Sequence, residues 1–258
     1  MEKKLVFFDI DGTLLDEKKE LPASTVRAIK ALKEAGVYVA IATGRAPFMF
    51  ADLRKQLGID SYVSFNGQFV VFEGTVIYEN PLEKELLHNL KERAHQFGHP
   101  LVYMDAETMR ASAENHPYIQ ASMESLKFSH PDPDPHYYQN RVIYQALLFC
   151  SEQEERVYID EFNMFHFIRW HEVSTDILPR GGSKAEGIRH MIEKLGIGLD
   201  NVYAFGDGLN DIEMLQYVGT GVAMGNAREE VKKVADFVTR NVEEEGILYG
   251  LKQLELIK

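Results

Sequence analysis

The sequence predicts an α/β protein built on a Rossmann-like parallel sheet, with a second region of α+β character inserted into it. Three observations carry this. Over the first 60 residues, apolar runs of strand length alternate with segments of helical period. The same alternation returns from about residue 183 to the end. The stretch between reads instead as paired strands with a few helices. Parallel strands need long crossover connections, usually helices, so the alternating parts belong to one sheet.

The elements follow in order. LVFFDI (5–10) is a continuous apolar run, as a strand buried on both faces would be. PASTVRAIKALKEAG (22–36) has helical period and closes on a glycine, VYVAIAT (37–43) is a second strand, and PFMFADLRKQLG (47–58) a second helix between Pro and Gly. YVSF (62–65) is a third strand, and FVVFEGTVIYE a hairpin turning at Glu73-Gly74. In the middle, 83–97 is helical, 101–104 and 108–113 pair as strands, and 142–150 and 164–170 are strands around a charged helix at 151–162. HPDPDPHYY (130–138), with three prolines, is an exposed loop. In MFHFIRWH, alternation places Met164, His166, Ile168 and Trp170 on one face and Phe165, Phe167, Arg169 and His171 on the other. After the insertion come a helix (183–196), a strand running into a turn (201–208), then helix, strand, helix, strand and a last helix at 243–255. The expected division is a discontinuous core, 1–81 and 181–258, with 82–180 as a second domain.

Composition narrows the function. With 28 basic and 40 acidic side chains the net charge is −12, which disfavours nucleic acid and anionic membranes as partners. No run approaches the ~20 apolar residues of a membrane span. The single cysteine, Cys150, permits no internal disulfide, ends an apolar run, and reads as a buried inert thiol in a cytoplasmic protein. The spacing of His116, His130 and His136 matches no usual metal-ligand pattern.

In open α/β sheets, sites form beyond the carboxyl ends of the strands. Four polar clusters fall there: DIDGT (9–13), TGR (43–45), FNG (65–67) and GDGLND (206–211). Asp9 and Asp11, two apart, start on one face of the chain. Gathered with Asp207 and Asp211 they would repel unless a cation neutralised them, and an oxygen-only set suits Mg²⁺. An EF-hand loop does not fit, although Glu20 stands twelfth from Asp9, because the glycine falls at loop position four and Leu14 and Leu15 replace polar ligands. Lys184 follows Ser183, a suitable N-cap, and sits in a helical first turn where a cation opposes the dipole, which suggests that it meets an anion. Thr43 and Arg45 are candidate donors to a phosphate held at neighbouring backbone N–H groups, with a rim salt bridge the equal alternative for Arg45, and Asn66 and Asn210 are candidate donors or else turn caps.

DIDGTLL, ATGR, GGSK and GDGLNDIEML, in this order, resemble the four motifs of the haloacid dehalogenase (HAD) superfamily, and the insertion looks like the C2-type cap of Cof-type phosphatases. The resemblance implies a HAD-fold core and a Mg²⁺-dependent phosphatase of small phosphorylated metabolites, sugar-like or cofactor-like. It implies Asp9 as nucleophile forming an aspartyl-phosphate, and Asp11 as general acid and base. Mg²⁺ would lie on the Asp9 carboxylate, the Asp11 carbonyl and Asp207, supported by Asp211. Ile10, Thr43, Gly44, Arg45, Asn66, Lys184 and Asn210 would surround the phosphate. Asp11 sets the chain apart from superfamily ATPases, which carry Thr there, and from dehalogenases. A phosphomutase and a phospho-metabolite-binding regulator are the alternatives. The cap is expected to close over the site and carry specificity.

Overall fold

The computed structural model describes residues 3–258. It contains the strands β1 (Leu5–Phe8), β2 (Tyr38–Ala42), β3 (Tyr62–Ser64), β4 (Phe69–Phe72), β5 (Thr75–Glu79), β6 (Leu101–Met104), β7 (Met109–Ala111), β8 (Gln145–Leu148), β9 (Phe165–His171), β10 (Ser174–Pro179), β11 (Val202–Gly206), β12 (Thr220–Ala223) and β13 (Phe237–Val238). The chain divides into two compact units. One comprises residues 1–45, 50–79 and 183–258, the other 46–49 and 80–182.

In the first unit eight strands form one sheet in the order β13-β12-β11-β1-β2-β3-β4-β5. It is parallel from β13 to β3, and β4 and β5 add an antiparallel edge. β1 lies inside, between β11 and β2, and all four of its residues are fully buried, which explains the unbroken apolar run LVFF. The turn between β4 and β5 has Glu73 and Gly74 both at positive φ, as a two-residue hairpin turn of the right hand requires. Among the described residues no helix is long and apolar enough to cross a membrane.

The helix Lys184–Leu195 lays Ile188, Met191 and Ile192 on the same buried cluster as Leu5, Phe7, Val63 and Val70. Gly187 makes this approach possible. A Cβ there would collide with the Val63 side chain and stand 2.9 Å from the Gly67 Cα. Gly187→Ala should therefore destabilise by roughly 1–3 kcal/mol, despite alanine's better helix propensity. Thermal unfolding checks this: a Tm several degrees lower is expected, and an unchanged Tm would mean helix and strand part freely here.

The second unit holds an antiparallel five-stranded sheet in the order β7-β6-β8-β10-β9. Leu87, Leu90 and Ala94 of the helix Lys84–Gln96 and Tyr158 of Glu152–Glu161 cluster with Leu101, Tyr103, Ala146, Leu148 and Ile177 from the sheet. Phe165 and Phe167 join that cluster and Arg169 pairs with Glu155 at 2.7 Å, so this side of β9 faces the unit's own helices. His166, Ile168 and Trp170 lie on the other side. The strand β10 and the helix Pro117–Ser125 go beyond the sequence reading. The stretch 130–138 keeps Asp132, Pro133, Pro135 and His136 exposed, as expected of a loop, but not throughout. Pro133 bridges to Ala111, Pro131 is buried, and the buried Tyr137 and Tyr138 open a one-turn helix, because two large aromatics outweigh the preceding prolines. Cys150 is fully buried, which pushes its thiol up to about 11 and leaves it inert.

β10 carries Asp176 in the interior of the sheet. Burial pushes its carboxyl up to about 8, and the neighbouring Trp170 indole and Gln145 amide only partly offset this. The folded-state value lies above the unfolded one, so this group costs the fold stability as pH rises from about 4 through 8. Asp176→Asn should consequently raise Tm at pH 9 by several degrees and leave it little changed at pH 4. A variant less stable than the parent at pH 9 would contradict the assignment.

Candidate active site

Asp9 stands one residue beyond β1, Thr43 one beyond β2, Phe65 one beyond β3 and Asp207 one beyond β11. Because these four strands are neighbours and parallel, their carboxyl ends share one rim. The chain after β1 closes on itself: Leu14 N–H donates to the Asp9 carbonyl (3.2 Å), Leu15 N–H to that of Ile10 (2.8 Å) and Gly12 N–H to that of Leu15 (2.9 Å). Gly12 has φ +79°, and a Cβ on it would strike the Asp207 carboxylate. Next to it the Thr13 hydroxyl donates to Asp207 Oδ1 at 3.1 Å.

Asp9, Asp207 and Asp211 each offer a carboxylate oxygen, and the three oxygens lie within 4.8 Å of one another. Lys184 is fully buried, and its ammonium donates to Asp9 Oδ1 and Asp211 Oδ1, both at 2.6 Å. Ser183 caps its helix by accepting the Glu186 N–H at 3.4 Å. The lysine set against the helix dipole is thus answered by two carboxylates, and a solvated surface lysine is excluded. The second oxygen of Asp211 accepts the N–H groups of Asp207 and Gly208, both at 2.9 Å. Three carboxylates face one ammonium. Burial pushes the Asp9 carboxyl upward against the pull of Lys184. Burial and then the Asp211 charge raise Asp207 to about 6. An excess of negative oxygen ligands, destabilised in the charged form, is what a hard divalent cation would relieve.

Asp11 does not share this cluster. β1 ends at Phe8 and the chain turns at Ile10, so the strand period that would align Asp9 with Asp11 no longer applies. Its carboxylate instead accepts Arg45 Nε at 2.8 Å and Arg45 Nη2 at 2.6 Å, and the Lys19 ammonium at 2.5 Å. Burial would raise this carboxyl, but the hydrogen bonds and charge of Arg45, then those of Lys19, outweigh it and hold it below the usual carboxylate range.

The remaining candidates line the same rim. Thr43 is buried, and its hydroxyl oxygen accepts the Arg45 N–H at 3.1 Å. Asn66, at a left-handed φ of 50°, lies against Gly44, and its Oδ1 accepts Asn210 Nδ2 at 3.5 Å. The Ile10 side chain is fully buried, so only its backbone is available to a ligand. Sequence reasoning missed Thr13, Lys19 and Asn226. Asn226 donates to the Gly12 carbonyl at 2.8 Å and accepts the Val242 N–H at 2.9 Å. Its signal was available, since it follows β12, one more strand of the parallel sheet. Lys19 gave none.

Known proteins resemble this chain over most of its length. The haloacid dehalogenase-like hydrolase family matches residues 6–251. YkrA of Bacillus subtilis (strain 168), provisionally named a phosphatase, is 50% identical over 258 residues, covering 100% of both chains. A crystal structure of a Geobacillus kaustophilus HTA426 protein of hypothetical function is 69% identical, with a TM-score of 0.96 over 99% of this chain and 100% of that one. The HAD subclass IIB sugar phosphatase BT4131 is 30% identical, with a TM-score of 0.85 over 99% and 100%.

Proposed function

The chain belongs to the haloacid dehalogenase-like hydrolases and is a phosphatase of that family, and from this premise we propose that it hydrolyses small phosphomonoesters through an aspartyl-phosphate on Asp9, with Mg²⁺ as cofactor. The observation that carries the reading is the buried Lys184 bridging Asp9 and Asp211 beside Asp207, at the ends of adjoining parallel strands. Likeness to a sugar phosphatase supports a sugar-like or related metabolite phosphate as substrate. We assign residues 82–180 the role of cap and the rest that of catalytic core, and place the protein in the cytoplasm, where its lone thiol stays reduced.

In this mechanism the Asp9 carboxylate attacks phosphorus, the bond from phosphorus to the leaving oxygen breaks, and Asp11 gives that oxygen a proton, a role that requires substrate binding to loosen the Arg45 and Lys19 contacts that hold Asp11 ionised in the free protein. Asp11 then takes a proton from the water that cleaves the acyl phosphate and regenerates Asp9. Lys184, Thr43, the Gly44 amide and Asn210 hold the phosphoryl oxygens, with the Ile10 backbone, Arg45 and Asn66 beside them. Lys184 also favours the ionised form of Asp9 and aims it. Asp9, Asp207 and the Asp11 carbonyl are the groups that would hold Mg²⁺, with Asp211 orienting them through Lys184 and the Asp207 N–H. Bound there, the ion supplies neutralisation of phosphoryl charge.

Mg²⁺ should raise Tm, by the equivalent of about 2.7 kcal/mol at a hundred times its Kd. Asp207→Asn should remove most of that gain, and chelation with EDTA should stop hydrolysis of p-nitrophenyl phosphate. Full turnover in EDTA, or a Tm indifferent to Mg²⁺, would contradict the reading.

A further inference from the structure

Among the described residues Lys184, Arg45 and Lys19 bring their cations to this site, and the first two have fixed duties. Lys184 is fully buried between Asp9 and Asp211. Arg45 grips both oxygens of Asp11 and is itself mostly buried. Lys19 is different. It donates to Asp11 Oδ1, an oxygen that Arg45 Nη2 already occupies at 2.6 Å, and its side chain is 33% exposed. One carboxylate therefore carries two full positive charges, and the second adds no missing hydrogen bond. An ion pair this exposed contributes little to stability, at most about 1 kcal/mol.

Yet the chain holds Lys19 in place at a cost. Its φ is 62°, a left-handed conformation unfavourable by roughly 1–2 kcal/mol for a residue with a Cβ. A closed turn imposes it: Lys19 N–H donates to the Asp16 carbonyl (3.0 Å), Asp16 N–H to the Glu20 carbonyl (3.0 Å), and Glu20 N–H to Asp16 Oδ1 (2.9 Å). Strain kept by an over-determined turn, and spent on aiming a surplus cation, points to a function for that cation.

The position of Asp11 says which function. In the reaction proposed above, on which this inference rests, Asp11 protonates the leaving oxygen, so the leaving group lies against Asp11 and hence beside Lys19. We propose that Lys19 is a specificity residue that binds a second anionic group on the leaving-group side of the substrate, so that the preferred substrates are phosphomonoesters carrying a carboxylate or another phosphate near the scissile ester. Lys19 has an ammonium with N–H donors beyond the one given to Asp11, and Arg45 alone keeps Asp11 in place when the lysine turns to the substrate. Carboxylate and phosphate would meet the same ammonium.

The test is the ratio of kcat/KM within matched pairs: 3-phosphoglycerate against glycerol 3-phosphate for the carboxylate, and fructose 1,6-bisphosphate against fructose 6-phosphate for the second phosphate. The parent enzyme should favour the more anionic member of at least one pair by about tenfold or more, the size of a charge-assisted contact, and the pair that responds identifies the anion. Lys19→Met should bring that ratio close to one, mainly through KM, and Lys19→Arg should restore most of it. A parent without preference in either pair, or a preference unchanged in Lys19→Met, overturns the proposal. Absence of hydrolysis of every one of these esters and of p-nitrophenyl phosphate would instead overturn the phosphatase mechanism beneath it.

Discussion

Asp9→Asn is expected to lower phosphatase turnover by roughly 10⁴-fold or more while the protein stays folded. An amide of the same shape keeps the packing at the end of β1 but is no nucleophile, and losing a covalent-catalysis nucleophile ordinarily costs several orders of magnitude. The stability effect has the opposite sign from most buried substitutions. Asp9 is an acid whose burial disfavours its ionised form, in a cluster with more carboxylates than ammonium groups. Its neutral amide removes one charge from that excess, and Lys184 keeps its pair with Asp211. Tm should stay level or rise, so that loss of activity together with a preserved melting curve isolates the chemistry. A variant that melts early would leave packing, not nucleophilicity, as the cause.

Lys184→Met should have the largest effect on stability. It leaves Asp9 and Asp211 buried and facing each other without a counter-charge, and breaking a buried ion pair from one side costs about 3–5 kcal/mol. For a chain of 258 residues this corresponds to a Tm lower by roughly 10 °C. The pH dependence is set by sign. Without the lysine nothing opposes the burial that raises the Asp9 carboxyl, which binds its proton more tightly folded than unfolded, so the deficit is small in acid and grows as pH rises through the carboxylate range. Melting curves at pH 5 and pH 8 check this, and a deficit independent of pH would contradict it. Activity falls as well, since the same ammonium aims Asp9.

What was legible in the sequence, and what was not, divides along a physical line. LVFF, YVAIA and VYAFG announce buried parallel strands because both their faces must be apolar, and the groups at their ends announce a site because strand ends point at one rim. Lys184 stood out because a cation in a helical first turn needs a reason, and the carboxylates of Asp9 and Asp211 are that reason. β10 was invisible because Ser174, Thr175 and Asp176 are polar yet buried, and its place between β8 and β9 comes from ladder pairing rather than hydrophobicity. The helix Pro117–Ser125 buries only Ile119, Ser122 and Met123, too few to make a pattern. Asp11 was expected beside Asp9 on the strand period, but the strand stops before either of them, and Asp11 turns to Arg45 and Lys19. Lys19 reaches Asp11 only through the closed turn Asp16–Glu20, a conformation that a run of charged residues does not declare.

The claim on which the mechanism stands is that Asp9 becomes phosphorylated. Acid quenching of the enzyme during turnover of a phosphomonoester in Mg²⁺, followed by mass spectrometry of the peptide carrying residues 5–16, measures it directly. The prediction is one added phosphoryl group on Asp9, in Asp11→Asn as well as in the parent, and none in Asp9→Asn. A phosphoryl group on another residue, or turnover undiminished in Asp9→Asn, would contradict it.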